Sequence, residues 1–148
     1  MATTSTAVPY RAEAAAVHKG LAVLLGRFLF ASIFLMFGPG HFSKQTIAYA
    51  ASQGVPLASI AVPLSGLLAI AGGLSILLGY RAKIGAWLIV LFLAGVTPMM
   101  HNFWAVKDPM TAQMQMAMFM KNLALIGGAL LITQYGAGPL SLDKRRSH

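Results

Sequence analysis

Four long apolar runs dominate the sequence, at residues 21–37, 57–78, 84–100 and 115–135. A helix needs about 20 mostly apolar residues to cross a bilayer, where no water is present to pair exposed backbone groups. Each run reaches or approaches that length. Only 9% of all residues are charged, against roughly a quarter in soluble domains. The runs therefore predict an integral membrane protein and exclude an ordinary water-soluble globule.

Short connections separate the four runs, so neighbouring helices are expected to be antiparallel. Gly38-Pro39-Gly40 is a strong helix stop at the end of the first run. The segment 41–56 that follows could form a short helix at the membrane interface. The predicted fold is all-α, a four-helix up-and-down membrane bundle over residues 21–135 with a short interfacial helix between the first two spans.

Lysine and arginine residues collect at one end of the predicted bundle, among an N-terminal arm (1–20), the turn between the second and third spans, and a basic tail (136–148). They are Arg11, Lys19, Arg81, Lys83, Lys144, Arg145 and Arg146. Cytoplasmic loops are enriched in these residues, so both termini are predicted to be cytosolic. The net charge of +8 is expected to meet the lipid bilayer and its anionic head groups. Nucleic acid is not an expected partner, because no basic face interleaved with aromatic residues is present.

Cysteine is absent from the chain. This excludes structural disulfides, a cysteine-ligated iron–sulfur cluster and covalently attached haem. No nucleophile-and-base constellation, phosphate-binding loop or pair of carboxylates appears either. The chain is therefore not expected to catalyse a reaction alone, although it could serve as a subunit of a membrane oxidoreductase.

Two cations, Arg27 and Lys121, fall inside the predicted spans. Ionisable side chains in a membrane are costly and usually face protein or water, so each suggests a functional site. The acids Glu13, Asp108 and Asp143 all lie outside the spans. Partners for the two cations are therefore expected among backbone carbonyls, water, lipid phosphate, a ligand or another subunit. Arg27 is expected near the inner leaflet, where it would bind an anion or a partner, or simply anchor at the head groups.

Lys121 lies six residues into the fourth predicted span, roughly 9 Å from its outer end at 1.5 Å per residue. Helical spacing aligns it with Ala117, Ala124 and Gly128 on a face of small residues. That alignment predicts a side chain directed into the bundle. The alternative is a lysine that extends along the lipid surface to the interface.

Several polar side chains are predicted to converge at the outer end of the bundle. They are His41, His101, Asn102, Trp104, Gln115, Lys121 and Asn122. Hydrogen-bond donors beside an aromatic wall would suit a quinone head group or a lipid, both of which offer acceptor oxygens. Helix caps and ordinary interfacial residues are the alternative interpretation.

Copper handling is a further alternative, based on His101 and on Met114 and Met118 in a methionine-rich run. Thioether sulfur favours Cu(I). Against this interpretation, alternate residues do not share one helix face, and methionine commonly fills gaps in apolar cores. A b-type haem held by His41 and His101 is also conceivable on ligand type.

Four motifs in sequence order, GRFLFASIFLMFGPGHF, GLLAIAGGLSILLGYRAKIGAWLIVLF, HNFW and FMKNLALIGGALLI, resemble the DoxX family of small bacterial four-helix membrane proteins. The resemblance covers residues 26–132. It implies a multi-pass protein of the bacterial inner membrane, with other membrane subunits or a homo-oligomer as partners. It further implies an accessory subunit of a quinone-linked redox system. A non-catalytic structural or assembly subunit of a larger complex is the alternative.

The residues that this resemblance singles out are Arg27, His101, Trp104, Lys121 and Asn122. Family members often carry a glutamate where this chain has Ala69. Counted along the spans, that position is expected near the level of Arg27, so the missing acid leaves the arginine without its usual partner.

Overall fold

The computed structural model of the chain describes residues 7–145. Within that range the regular secondary structure is helical, and the described residues contain no strand. Two short 3-10 turns, Gly38–Phe42 and Phe103–Ala105, join helices. The α-helices are α1 Ala7–Phe37, α2 Lys44–Ser52, α3 Ala58–Leu78, α4 Ala82–Met100, α5 Pro109–Tyr135 and α6 Leu142–Arg145.

Four stretches of the structure are long and apolar enough to cross a membrane: Val17–Phe42, Ala58–Leu78, Ala82–Ala105 and Pro109–Tyr135. Each overlaps one of the predicted spans, and α2 forms between the first two. The predicted all-α membrane bundle with a short additional helix is thereby confirmed.

The first helix extends beyond its apolar run on the N-terminal side. Helix α1 begins at Ala7, inside the segment predicted as an arm, because the alanine-rich stretch 12–16 has high helix propensity. Residues 1–6 and 146–148, which belong to the predicted arm and tail, lie outside the described range. At the other side, the tail residues up to 145 pack against the bundle, as described below.

Helix α2 covers one end of the bundle, named here the histidine end because His41 and His101 lie there. Ser43 caps the helix by accepting a hydrogen bond from Thr46 N at 3.2 Å. The buried residue Ala50 packs α2 onto α3. The opposite end, where the chain passes from α3 to α4 and ends in α6, is the tail end.

Helices α3 and α4 approach each other closely at Gly72 and Gly85. A Cβ atom added at Gly72 would lie 2.8 Å from Gly85 O, and one added at Gly85 would lie 3.0 Å from Gly72 O. Small residues allow such backbone approach in lipid, where hydrophobicity alone does not drive helix association. Ile76, Ala86 and Ile89, beside this crossing, are fully buried. The crossing therefore forms the packed centre of the bundle.

The other two spanning helices pack on opposite members of this pair. Helix α1 packs on α3, and α5 packs on α4. Helices α1 and α5 make few close backbone approaches to each other. They meet at Gly128, where an added Cβ would lie 3.0 Å from the ring of Phe30. Toward the histidine end the two helices enclose a cavity instead of a packed interface.

We predict that Gly72→Leu lowers the free energy of unfolding by about 1–3 kcal/mol, the usual cost of overpacking. The reason is that Gly85 O and the Ile89 side chain occupy the space that the new side chain needs. Thermal unfolding of the detergent-solubilised protein measures the effect. Gly26→Leu is the matched control, because a Cβ at Gly26 meets nothing within 4 Å. Equal stability of the two variants would contradict the close crossing.

Candidate functional site

A cavity of about 480 Å³ lies between α1, α4 and α5 at the histidine end. Its polar lining consists of His41, His101, Lys121 and Asn122. The rest of the wall is apolar and includes Phe34, Phe37, Leu93, Met100 and Leu125. The structure thus brings together four of the seven residues predicted for this end, and we name the space the polar cavity.

Lys121 lines the polar cavity without a carboxylate partner among the described side chains. The two described acids bond elsewhere. Asp108 Oδ2 accepts from Thr111 Oγ1 at 2.6 Å and from Thr111 N at 2.8 Å, which caps α5 and holds the pKa of Asp108 below its usual value. Asp143 lies at the tail end. The positive charge of Lys121 therefore lacks a counter-ion from these two acids.

Asn122 is the polar side chain buried most deeply in the cavity wall, with 5% of its surface exposed. Its amide can donate two hydrogen bonds and accept others, and buried amides normally do so. No other described residue forms a hydrogen bond with this side chain. Because Asn122 lines the polar cavity, its amide is accessible to water or to a molecule that enters there.

The two histidines are held in place by contacts of their own. His101 Nδ1 lies 2.8 Å from Gln115 Oε1, which fixes the imidazole between α4 and α5. His41 Nδ1 lies 3.2 Å from Gly38 O, and its ring packs edge-on to Phe92 at 5.7 Å. Gln115 does not line the cavity itself and acts on it through His101.

Asn102 and Trp104 do not line the polar cavity. Trp104 instead forms an aromatic cluster with Phe103 and Phe119, with ring centroids 5.1 and 5.9 Å away. Its indole is largely exposed, as expected at a membrane interface. These two residues were placed near the cavity from their sequence position alone, and the 3-10 turn carries them away from it.

The buried face of α5 differs from the predicted small-residue face. Asn122, Ala129 and Thr133 are buried, whereas Ala117 and Ala124 are exposed. The prediction that the small residues turn inward is therefore wrong by about one residue of helix rotation. Lys121 lies at the edge of the buried face; it is exposed and also lines the polar cavity.

The residues named for copper do not form one group. His101 and Met118 line the polar cavity, but Met114 is exposed and does not. Within residues 7–145, no three histidine or acidic side chains come together as metal ligands. The copper interpretation consequently receives no support from the arrangement.

At the tail end, Arg27 is buried, with 4% of its surface exposed. Its Nη2 donates to Leu140 O at 2.7 Å, while Nε and Nη1 have no hydrogen-bond partner. The guanidinium lies against Gly79, where any side chain would collide with it and with Ser141. Arg27 thus fastens the chain after α5 onto α1, and a lipid-exposed head-group anchor does not describe it.

Asp143 completes this end of the bundle, and sequence reasoning missed its role. Its carboxylate accepts from Arg81 N at 2.7 Å and Ala82 N at 3.1 Å, so it neutralises the exposed N–H groups at the start of α4. Asp143 N donates to Gly79 O at 2.8 Å, and the carboxylate also attracts Arg27. A lone acid in a basic tail was the available signal, and it was read only as a residue outside the spans.

Ala69 was predicted to lie near the level of Arg27, and this prediction is wrong. Ala69 is buried in the wall of the polar cavity. Arg27 instead contacts Gly79, ten residues farther along the chain and about 15 Å along the helix axis. The prediction counted the level of Arg27 from residue 21, the start of the apolar run. Helix α1 begins at Ala7 instead, so residue 21 does not mark the end of the helix.

Comparison with known proteins identifies one family. The sequence model of the SURF4 family matches residues 6–148, nearly the whole chain. No solved structure matches the chain significantly.

Three relatives give the range of the similarity. The Escherichia coli inner membrane protein YqjF is 33% identical over 128 residues, covering 85% of this chain and 92% of that protein. The E. coli inner membrane protein YphA is 28% identical, covering 83% and 89%. The Saccharomyces cerevisiae ER-derived vesicles protein ERV29 is 27% identical, covering 86% of this chain and 34% of that protein.

The resemblance to the DoxX family is therefore wrong, because the family match and these relatives are of the SURF4 type. Its motifs are short and consist largely of glycine and apolar residues in spanning helices, which unrelated membrane bundles also use. The quinone-linked redox role that the resemblance implied loses its support with it.

For the tail end, we predict that Arg27→Ala releases the segment 138–145. The charged hydrogen bond to Leu140 O is lost, and such bonds contribute about 1.5–3 kcal/mol, so amide exchange should accelerate about tenfold or more. Hydrogen–deuterium exchange of this segment measures the effect. Lys19→Ala removes an exposed cation from the same helix and should leave the exchange unchanged. Similar exchange rates in both variants would show that Arg27 does not hold the segment.

Proposed function

Since the chain belongs to the SURF4 family, we propose that it is a non-catalytic, multi-pass membrane protein that binds one anionic amphipathic lipid in the polar cavity. The observation that carries the proposal is the amide of Asn122, which lines the cavity without a hydrogen-bond partner among the described residues, beside a lysine without a carboxylate. The bacterial relatives bear the name of inner membrane proteins, and we place this chain in the same membrane.

An anionic head group fits the polar groups of the cavity best. Lys121 and the Asn122 amide are donors, and His101 adds a ring nitrogen. A phosphate or carboxylate accepts from Lys121 and Asn122 and also neutralises Lys121. Hydrogen bonds between charged groups are shorter and stronger than neutral ones, and surroundings of low polarity strengthen them further.

An apolar body fits the remainder of the cavity. The apolar part of the wall includes Phe34, Phe37, Leu93 and Leu125. The cavity volume of about 480 Å³ falls within the range of roughly 300–1,000 Å³ that is usual for small-molecule sites. A small hydrophilic anion would leave this apolar surface uncovered, whereas a lipid covers both parts.

Two further occupants are outcomes of the same test. A quinone offers carbonyl acceptors to the same donors, but it carries no charge for Lys121. An acidic side chain of another subunit could meet Lys121 if the protein works as a structural subunit of a larger complex. Both differ from an anionic lipid in the molecule that is recovered with the purified protein.

We predict that the purified protein binds phosphatidylglycerol in preference to phosphatidylcholine, and that Lys121→Ala removes this preference. The expected loss is about tenfold or more, from a hydrogen bond between charged groups. Native mass spectrometry of protein in mixed micelles measures bound lipid. Asn122→Leu should weaken binding of phosphatidylglycerol as well.

Lys107→Ala is the matched control, because Lys107 is exposed at the same end of the bundle and lies outside the spans and the cavity. Equal binding of the two lipids, or equal effects of Lys107→Ala and Lys121→Ala, would overturn the proposal. Recovery of a quinone or of a second protein in place of the lipid would overturn it in favour of that occupant.

We also predict that the histidine end faces the periplasm and the tail end the cytosol, from the excess of lysine and arginine at the tail end. The chain has no cysteine, so Lys107→Cys and Lys83→Cys each supply one label site. In intact spheroplasts, an impermeant maleimide should label Lys107→Cys and not Lys83→Cys. The reverse labelling pattern would show the opposite orientation.

A further inference from the structure

A second cavity, of about 250 Å³, lies between α2, α3 and α4. Its wall includes Ala50, Ala61, Leu68, Gly95 and Met99. It is lined almost wholly by carbon, and we name it the apolar cavity. The site proposed above makes no use of it.

The polar side chains of α2 and α3 at the apolar cavity are already bonded. Thr46 Oγ1 lies 2.8 Å from Ser43 Oγ, and Ser65 Oγ donates to Val62 O at 2.7 Å. Neither hydroxyl therefore calls for a partner in the cavity. A polar ligand would lose its own hydrogen bonds on entry, so the wall is suited to hydrocarbon.

Only one layer of side chains separates the two cavities. His41, Phe92, Val96 and Met100 line both of them. His41 and Phe92 carry rigid rings and Val96 is β-branched. Met100, in contrast, has an unbranched, flexible side chain that can move aside. The wall is therefore thin, and its adaptable part lies next to His101, at the polar groups.

The shared wall leads us to infer that the lipid bound in the polar cavity has two acyl chains, the second of which occupies the apolar cavity. This inference rests on the proposed function and specifies its ligand. The head group meets Lys121, His101 and Asn122, and one chain lies along Leu93 and Leu125. The other chain passes Met100 and enters the space between α2, α3 and α4.

The energetic reason is the void that a ligand with one chain would leave. Side chains around an empty cavity lose dispersion contacts, and a filling chain restores them. Inside a bilayer an acyl chain gains nothing from leaving water, so this packing decides the preference. A lipid with two chains fills both cavities with a single head group.

The test compares phosphatidylglycerol with lysophosphatidylglycerol, which has the same head group and one chain. Native mass spectrometry of the purified full chain in equimolar mixed micelles reports the ratio of the two bound lipids. We expect a preference for the two-chain lipid on the order of tenfold, from restored packing. Gly95→Phe, which places a ring at the apolar cavity, should reduce the ratio to about one while the one-chain lipid still binds.

Gly127→Phe is the matched control, because Gly127 lines neither cavity and a Cβ there meets nothing within 4 Å. It should retain the wild-type ratio. Ala61→Phe fills the same cavity from α3 and provides a second variant should Gly95→Phe fail to fold. A wild-type ratio near one, or an unchanged ratio in both cavity variants, overturns the inference.

The two proposals fail in different ways. If Lys121→Ala weakens binding of both lipids while the wild-type ratio is near one, the anionic site stands and the second chain does not occupy the apolar cavity. If neither lipid binds the wild-type protein, both proposals are overturned. Independent binding of two lysolipids to one protein, at the expense of the two-chain lipid, would also overturn the inference.

Discussion

The backbone contact of α3 with α4 at Gly72 and Gly85 is the constraint on which the rest of the bundle depends. Because both positions lack a side chain, the two helices approach closely and form a centre without space for ligands. Helices α1 and α5 then pack on different members of the pair, α1 on α3 and α5 on α4. They make few close backbone approaches to each other. The polar cavity is the space that remains between them.

The two ends of the bundle solve the problem of buried polar groups differently. At the tail end, Leu140 O accepts from Arg27 Nη2 and the Asp143 carboxylate accepts from the start of α4, while Arg27 Nε and Nη1 keep no hydrogen-bond partner. At the histidine end, Asn122 and Lys121 have no such partner from the described acids and amides. The tail end is closed by the chain itself, whereas the histidine end is open to a cavity. The open end is also where the two cavities meet.

The features that follow from local sequence were predictable. The four spans follow from the length of the apolar runs, and α2 follows from the break at Gly38-Pro39-Gly40. Antiparallel order was enough to predict that His41, His101 and the first half of the fourth span lie at the same end of the bundle. The rotation of α5 was not predictable, because it depends on which neighbours its residues meet. The folding back of the tail was missed for the same reason, since Asp143 bonds to residues 61 and 62 positions away.

The bond between Arg27 and Leu140 joins residues 113 positions apart. On the ribosome, the first span therefore carries an arginine whose acceptor has not yet been made, and the guanidinium lacks this hydrogen bond until Leu140, beyond the last span, has been synthesised. Membrane insertion of α1 must accordingly tolerate a free guanidinium, with the basic end held at the surface where water and lipid phosphate are within reach. The N–H groups of Arg81 and Ala82 at the start of α4 likewise lack their acceptor until Asp143 has been synthesised. The bond between Arg27 and Leu140 can thus form only after all four spans have been synthesised.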